Sequence, residues 1–152
     1  MSRLGFFFYW IFDNLQILAK VKFLEGVDKE KAAKRAAFFW LLGLIFSVIL
    51  VVIQMIETSK EEAQLKRDYA EQRALMDERQ INEFKAKNAA IAKKKFDNTL
   101  NLLKNLGDMV TASQGVSLPK TLFGFDFNDG QVGLGGFISA VITCYQLYPD
   151  RK

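Results

Sequence analysis

One run of apolar residues constrains this chain more than any other feature. Residues 36–56 read AAFFWLLGLIFSVILVVIQMI, which is 21 residues without a formal charge, with Gln54 as the only strongly polar member. At about 1.5 Å per residue, a helix of this length spans about 30 Å, the thickness of the hydrocarbon core of a bilayer. Core helices of soluble proteins rarely stay uncharged for so long, so the run predicts a transmembrane helix.

A second uncharged stretch, residues 130–148, reads GQVGLGGFISAVITCYQLY and is followed by Pro149. It is richer in glycine and less apolar than the first. Tyr145 and Tyr148 near its end suit the aromatic belt at a membrane interface. The stretch predicts a second span, with a buried helix or a re-entrant segment as the alternative.

The aromatic-rich residues 4–24 predict an amphipathic, interfacial helix. Asp13, Gln16 and Lys20 are spaced to share one helical face, with Asn14 beside it. Because a charge at the bilayer centre is costly, this helix lies at the membrane surface, packs its polar stripe on protein, or enters the bilayer only in part. Asp13 and Asn14 would then contact solvent or another helix.

Between the two predicted spans the composition changes sharply. Residues 57–104 hold 11 Lys or Arg and 9 Asp or Glu, with no Pro or Gly. Residues 57–110 predict a long helix, first polar and then amphipathic, and residues 111–129 predict a loop. Ser59 and Glu62 match a capping box that would begin a new helix; the alternative is one helix continuing from the first span. No heptad persists for three repeats, which argues against a coiled coil.

The amphipathic part presents apolar residues every three or four positions and predicts a face that binds a membrane or a helix, although Gly107 weakens the helix. The face consists of Phe96, Leu100, Leu103, Leu106 and Val110. Helices in lipid associate largely through small residues, and both predicted spans carry ridges of them. The predicted helix-packing and oligomerisation residues are Gly43, Ser47, Gly133, Gly135, Gly136, Ser139 and Ala140.

Composition excludes several classes of chemistry. The chain has no His and a single Cys, Cys144, so a Ser-His-Asp triad, a two-His zinc site and an intrachain disulfide are impossible within it. No phosphate-binding or cofactor motif occurs, which predicts a protein without enzyme activity, metal or cofactor. A net charge of +4 is too small to indicate nucleic acid as a partner.

The distribution of positive charge predicts an orientation. Six Lys or Arg lie in the 20 residues before the first span and four in the 20 after it. The positive-inside rule then places both termini in the cytosol and residues 57–129 on the far side of the membrane.

The chain resembles the peroxin 11 family of peroxisomal membrane proteins. The aromatic segment with Tyr9, Asp13, Asn14 and Lys20, ahead of a basic-flanked membrane helix, matches one family pattern. A leucine-rich helix ending at Asp108, followed by VGLGGFISAVITCYQLYP, matches another. The resemblance covers residues 3–56 and 96–149.

The predicted spans and polar helices together indicate an all-α protein with two transmembrane helices, forming a single helical membrane domain over residues 1–152. The resemblance implies a peroxisomal membrane protein that elongates the membrane and promotes proliferation and division, with homo-oligomers, the lipid bilayer and the organelle fission machinery as partners. Family members usually carry a further N-terminal region with a membrane-bending amphipathic helix, which would precede Met1. Two alternatives remain: a metabolite pore, or a non-catalytic helical subunit of a larger membrane complex.

Overall fold

The computed structural model describes residues 1–148, which form helices and no strand. The elements are α1 (Ser2–Lys20), α2 (Lys29–Gln72), a 3-10 turn (Arg73–Leu75), α3 (Glu78–Gly115), α4 (Leu118–Phe123) and α5 (Asp129–Leu147). The predicted all-helical class is confirmed, and Pro149 lies outside the described residues. The predicted single domain divides into two compact units. The helix bundle is Met1–Ile49 with Leu103–Lys152, and the charged hairpin is Leu50–Leu102.

Helix α2 begins at a side-chain cap and then runs without a break. The Asp28 carboxylate accepts hydrogen bonds from the backbone N–H groups of Glu30 and Lys31, and the bond from Lys31 is the main cause of its lowered pKa. The predicted capping box at Ser59 does not form, because its hydroxyl donates instead to the Met55 carbonyl at 2.8 Å. The alternative, one helix continuing beyond residue 56, is confirmed.

The predicted long helix over residues 57–110 is wrong, because the chain breaks between α2 and α3. Asp77 and Gln80 form a reciprocal cap there: Gln80 N donates to Asp77 Oδ1 at 2.7 Å, and Asp77 N donates to Gln80 Oε1 at 3.0 Å. This Asp-x-x-Gln pattern is visible in the sequence, and it marks the true start of the second polar helix.

The predicted loop over residues 111–129 is also wrong in part. Helix α3 continues to Gly115, and the short helix α4 follows after Ser117, which has a positive φ of 55°. Gly124 ends α4 with a φ of 77°, a conformation that glycine adopts without steric cost.

The charged hairpin pairs the end of α2 with the start of α3 in antiparallel fashion. Glu61 and Glu62 form ion pairs with Lys94 and Lys95, at 3.0 and 2.6 Å. Nearer the turn, the rings of Tyr69 and Phe84 stack with centroids 3.9 Å apart.

Two polar side chains of the charged hairpin are withdrawn from solvent. Thr58 is fully buried and donates to the Gln54 carbonyl of its own helix at 2.7 Å. Asn98 is 6% exposed, and its Nδ2 group has no hydrogen-bond partner within the described part of the chain. An unpaired buried donor of this kind is destabilising.

One helix among residues 1–148 is long and apolar enough to cross a membrane. It begins at Lys29 and contains the predicted span over residues 36–56. Only 28% of its most apolar stretch is buried within the protein, unlike the core helix of a soluble domain. Helix α5 does not qualify by the same length and composition criteria, so the second predicted span is not confirmed.

Candidate functional site

In the helix bundle, α1 and α2 approach each other through two glycines. A Cβ atom placed on Gly5 would lie 2.7 Å from the Cα atom of Gly43. The Ser2 hydroxyl donates to the Gly43 carbonyl at 3.2 Å beside this contact. Gly43 was predicted to pack against a helix, whereas Gly5 was not singled out from the sequence because it lies among aromatic residues.

Aromatic side chains extend the contact between α1 and α2. The ring of Phe39 lies 5.1 Å from that of Phe8 and 5.6 Å from that of Phe12, measured between centroids. Tyr9 stacks on Trp40 at 5.4 Å. Offset and stacked ring pairs at these distances add to the stabilisation from burial, so the aromatic residues of α1 hold it against α2.

A buried polar contact joins α2 to α3. Asn105 is 6% exposed, and its Nδ2 atom donates to Ser47 Oγ at 3.0 Å. An apolar cluster of Leu41, Leu44 and Ala112 is buried in the same bundle. Ser47 was predicted as a packing residue, but its partner Asn105 was missed.

Helices α3 and α5 meet backbone to backbone. A Cβ atom on Gly107 would lie 2.6 Å from the Gly135 carbonyl oxygen, and one on Gly135 would lie 2.7 Å from that of Gly107. Ser139, one turn further along α5, is 6% exposed. Gly107, which weakens the helix on propensity grounds, is therefore required for close packing.

The other small residues of α5 remain uncovered. A Cβ atom on Gly133 would meet nothing within 4 Å, and one on Gly136 would meet only the Thr111 hydroxyl, at 3.9 Å. Ala140 is exposed. The role of Gly133, Gly136 and Ala140 in oligomers stays a prediction.

The face of α3 that was predicted to contact a partner points outward in part. Leu103 and Leu106 are 47% and 46% exposed, whereas Asn105 and Gly107 between and beside them are buried. Phe96, in the charged hairpin, is also exposed, and Leu100 and Val110 are half-buried. In the bundle, α3 thus packs polar and small residues inward and leucines outward.

Large apolar side chains also cover the outside of the other bundle helices. Exposed members include Phe7 and Trp10 of α1, Ile45 and Ile49 of α2, and Leu134, Phe137 and Val141 of α5. Water-soluble monomers rarely expose so much apolar surface. A polar contact inside and large apolar groups outside are typical of a bundle in lipid, where polar residues face the interior.

The predicted polar stripe of α1 divides between two environments. Asp13 and Gln16 are half-buried, whereas Asn14 and Lys20 are exposed. The Nδ2 atom of Asn14 donates to the Trp10 carbonyl of its own helix at 2.7 Å. The carboxylates of Asp13 and of Asp108 on α3 both lie within electrostatic range of Tyr9. A role for the stripe in assembly stays a prediction.

The end of α3 lies at the start of the predicted span. A Cβ atom on Gly115 would lie 2.7 Å from the Cβ atom of Ala37. Residues 111–129 therefore lie at the end of the bundle where α2 enters it. On which side of the membrane residues 57–129 lie stays a prediction.

The described residues contain no group of three or more acidic, His or Cys side chains placed to hold a metal ion. What the bundle offers instead is a set of close helix contacts beneath an apolar exterior.

Comparison with known proteins decides the family. Residues 1–148 match the family model described as Peroxisomal biogenesis factor 11 (PEX11). The chain belongs to the PEX11 family. The resemblance drawn from the aromatic N-terminal segment and the glycine-rich C-terminal segment is thereby confirmed.

Two curated proteins show how far the similarity to PEX11 proteins extends. A peroxisomal membrane protein 11 homolog of Dictyostelium discoideum is 29% identical over 95% of this chain and 59% of its own length. Peroxisomal membrane protein PMP30B of Candida boidinii is 27% identical over 100% of this chain and 60% of its own length. The chain thus spans about three-fifths of these relatives. No solved structure matches it.

Proposed function

We propose that this chain is a peroxisomal membrane protein that elongates the organelle membrane and promotes proliferation. Membership of the PEX11 family and the names of its relatives support the location and the process. The observation that carries the membrane assignment is the helix bundle, which pairs Ser47 with Asn105 inside and exposes leucine, isoleucine and phenylalanine outside.

In this proposal, three segments lie side by side in the bilayer: residues 36–56 of α2, the C-terminal part of α3 and most of α5. The part of α3 in the bundle is too polar to insert alone, but Asn105 faces Ser47 and Gly107 faces Gly135. A polar residue that is paired within the bundle avoids most of the cost of leaving water. Helix α5 is then the second predicted span and inserts with its neighbours. Because three crossings are an odd number, the end of α5 lies across the membrane from the N-terminus, and this proposal departs from the predicted cytosolic placement of both termini.

Helix α1 supplies a physical route to membrane bending. Its contacts with α2 run from Arg35, whose guanidinium lies 5.7 Å from the Phe12 ring, to Gly43. These contacts cover only the first part of the span over residues 36–56. A helix that occupies one leaflet and not the other widens that leaflet and favours curvature. Self-association would concentrate these wedges, and the fission machinery would act on the elongated membrane.

The membrane assignment is tested with two exposed leucines. Leu106 lies on the bundle exterior beside Asn105, and Leu75 lies in the 3-10 turn, 89% exposed. Leu106→Asp places a charge in lipid, at a cost of about 2.5–3.5 kcal/mol near a bilayer centre, whereas Leu75→Asp is the matched control in water. We expect Leu106→Asp to reduce the carbonate-resistant fraction in isolated peroxisomes, and Leu75→Asp to leave it unchanged. Equal behaviour of the two variants would contradict a bilayer-embedded bundle.

The shaping activity is tested through Gly5. Gly5→Leu forces α1 away from Gly43, and Leu4→Met, at an exposed neighbour, is the control. We expect both variants to insert, but only the Gly5 variant to lose the ability to elongate peroxisomes in cells. If Gly5→Leu elongates peroxisomes as well as the parent protein, packing of α1 on α2 is not needed for membrane shaping.

A further inference from the structure

A groove runs along one side of the charged hairpin, between α2 and α3, with a volume of about 500 Å³. Its floor is apolar and is formed by Leu65, Ala90 and Ile91. Its two walls carry opposite charge. The acidic wall on α2 consists of Glu61 and Asp68, with Gln64 between them, and the basic wall on α3 consists of Lys87 and Lys94.

The opposite charges of the two walls lie at the same levels along the helix axes. Glu61 and Lys94 form an ion pair across the groove at 3.0 Å, which fixes their common level. Because the helices are antiparallel, seven residues forward along α2 and seven back along α3 bring Asp68 and Lys87 to a second common level. No hydrogen bond or ion pair joins Asp68 or Lys87 to another residue in the described part of the chain.

We propose that this groove is the face through which the charged hairpin binds a second copy of the same chain. A two-fold axis parallel to the helices would place α2 of one copy over α3 of the other without changing the height of any residue. The acidic wall of each copy would then face the basic wall of its partner, level by level. The opposite, antiparallel arrangement would set the acidic walls against each other, where like charges repel.

Three observations favour a second copy over another partner. The alternation of charge between the walls is self-complementary under that one symmetry, as a two-fold interface requires. The charges of Asp68 and Lys87 have no ion-pair partner within the described residues, so they are available to a second copy. The inference rests on the proposed membrane function, because two copies in one bilayer are already parallel, and such tethering raises their effective concentration. Burial of Leu65, Ala90 and Ile91 supplies the apolar contact.

The arrangement of the interface is tested with single thiols in the full chain, reconstituted in lipid vesicles. Cys144 is the only native cysteine and is first replaced by Ser. One preparation then carries Gln64→Cys and another carries Ala90→Cys, at groove-lining positions on opposite helices and at nearly the same level. We expect a mixture of the two to form intermolecular disulfides under mild oxidation, at several times the yield of either preparation alone. Disulfides confined to chains that share Gln64→Cys would overturn the parallel arrangement.

A charge exchange tests the specificity of the groove. One variant carries Glu61→Lys and Asp68→Lys, and the other carries Lys87→Glu and Lys94→Glu. Each should fail to pair with itself, whereas a mixture restores opposite charges on both sides. We expect about tenfold more intermolecular crosslinking in the mixture than in either variant alone, given the cost of facing like charges.

The control and the remaining outcomes separate this inference from the proposed function. Lys60→Glu with Arg67→Glu makes the same change in net charge as the Lys87→Glu, Lys94→Glu variant, but on another exposed face of α2, and should crosslink like the parent. Crosslinking by each groove variant alone, or a mixture no better than its parts, would overturn the interface. Carbonate extraction of the same samples reports on the membrane function, which stands if the chains stay inserted while the disulfides fail to form.

Discussion

The side-chain amide of Asn105 donates a hydrogen bond to Ser47 Oγ, 3.0 Å away on the neighbouring helix. Both residues lie in segments that we propose to lie in the bilayer. There, water cannot substitute for a lost partner, so the contact fixes which faces of α2 and α3 meet. Asn98, seven residues earlier on α3, is equally buried, and its amide nitrogen has no hydrogen-bond partner among residues 1–148.

The same substitution at the two asparagines should therefore have different effects. Asn105→Leu removes a made hydrogen bond and should lower the free energy of unfolding by about 1 kcal/mol. Asn98→Leu removes an unpaired donor at similar volume and should be neutral or stabilising. Thermal unfolding midpoints in detergent micelles provide the comparison. A larger loss at Asn98 than at Asn105 would show that Asn98 has a partner in the folded protein.

The close approach of α3 and α5 predicts that two glycines of α5 differ in their tolerance of substitution. Gly135→Ala places a methyl group against the Gly107 backbone and should cost about 1–3 kcal/mol through overpacking. Gly133→Ala points into open space and should be neutral or slightly stabilising through helix propensity. Resistance of α5 to proteolysis in micelles separates the two variants. Equal resistance of the two variants would show that α5 does not pack against Gly107.

The contact of Gly115 with Ala37 predicts the accessibility of two exposed sites. A protease-sensitive tag inserted at Lys120 in α4 should be cleaved from intact peroxisomes, because the basic residues before the span place that end in the cytosol. A tag at Leu75 should be protected until the membrane is opened by detergent. Protection of both tags would contradict this expectation and would support the predicted far-side loop over residues 57–129.

The ion pairs of Glu62 predict acid sensitivity of the charged hairpin. Hydrogen bonds from Lys66 and then from Lys95 lower the pKa of Glu62 from 4.5 to about 2. Since the pKa is lower in the folded state, the stabilisation is full above pH 4.5 and is lost as the pH falls toward 2. The effect is small and weakened by salt, because the pair is exposed to solvent.

Amide hydrogen-exchange protection factors measured from pH 6 down to about pH 2 test this dependence. Protection near Glu62 should fall in the parent protein as its carboxylate takes up a proton. Glu62→Gln should show lower protection at pH 6 and a flatter profile. A parent profile as flat as that of Glu62→Gln would exclude a contribution from these ion pairs.

Several features of the fold follow from local patterns in the sequence. The uncharged run over residues 36–56 specifies a helix long enough to span a bilayer, and its composition alone suffices for that prediction. The absence of His excludes whole classes of active site. The caps at Asp28 and Asp77 also depend on local sequence. The Asp77 pattern was therefore enough to predict the break between α2 and α3, but the capping-box pattern at Ser59 predicted a helix start at the wrong place.

Only the tertiary structure decided which faces of the helices meet. Leucine spacing on α3 predicted a face for a membrane or another helix and left the choice between them open. The buried positions of α3 within the bundle are Asn105, Gly107 and Ala112. Outward leucines and inward polar groups suit the proposed bilayer setting, because leucine is stable against lipid while polar groups need partners within the protein. The packing roles of Gly5 and Gly107 are visible only from the backbone of the neighbouring helix that approaches each of them. Helical periodicity fixes which residues share a face, but the choice of face depends on a neighbour that is distant in the sequence.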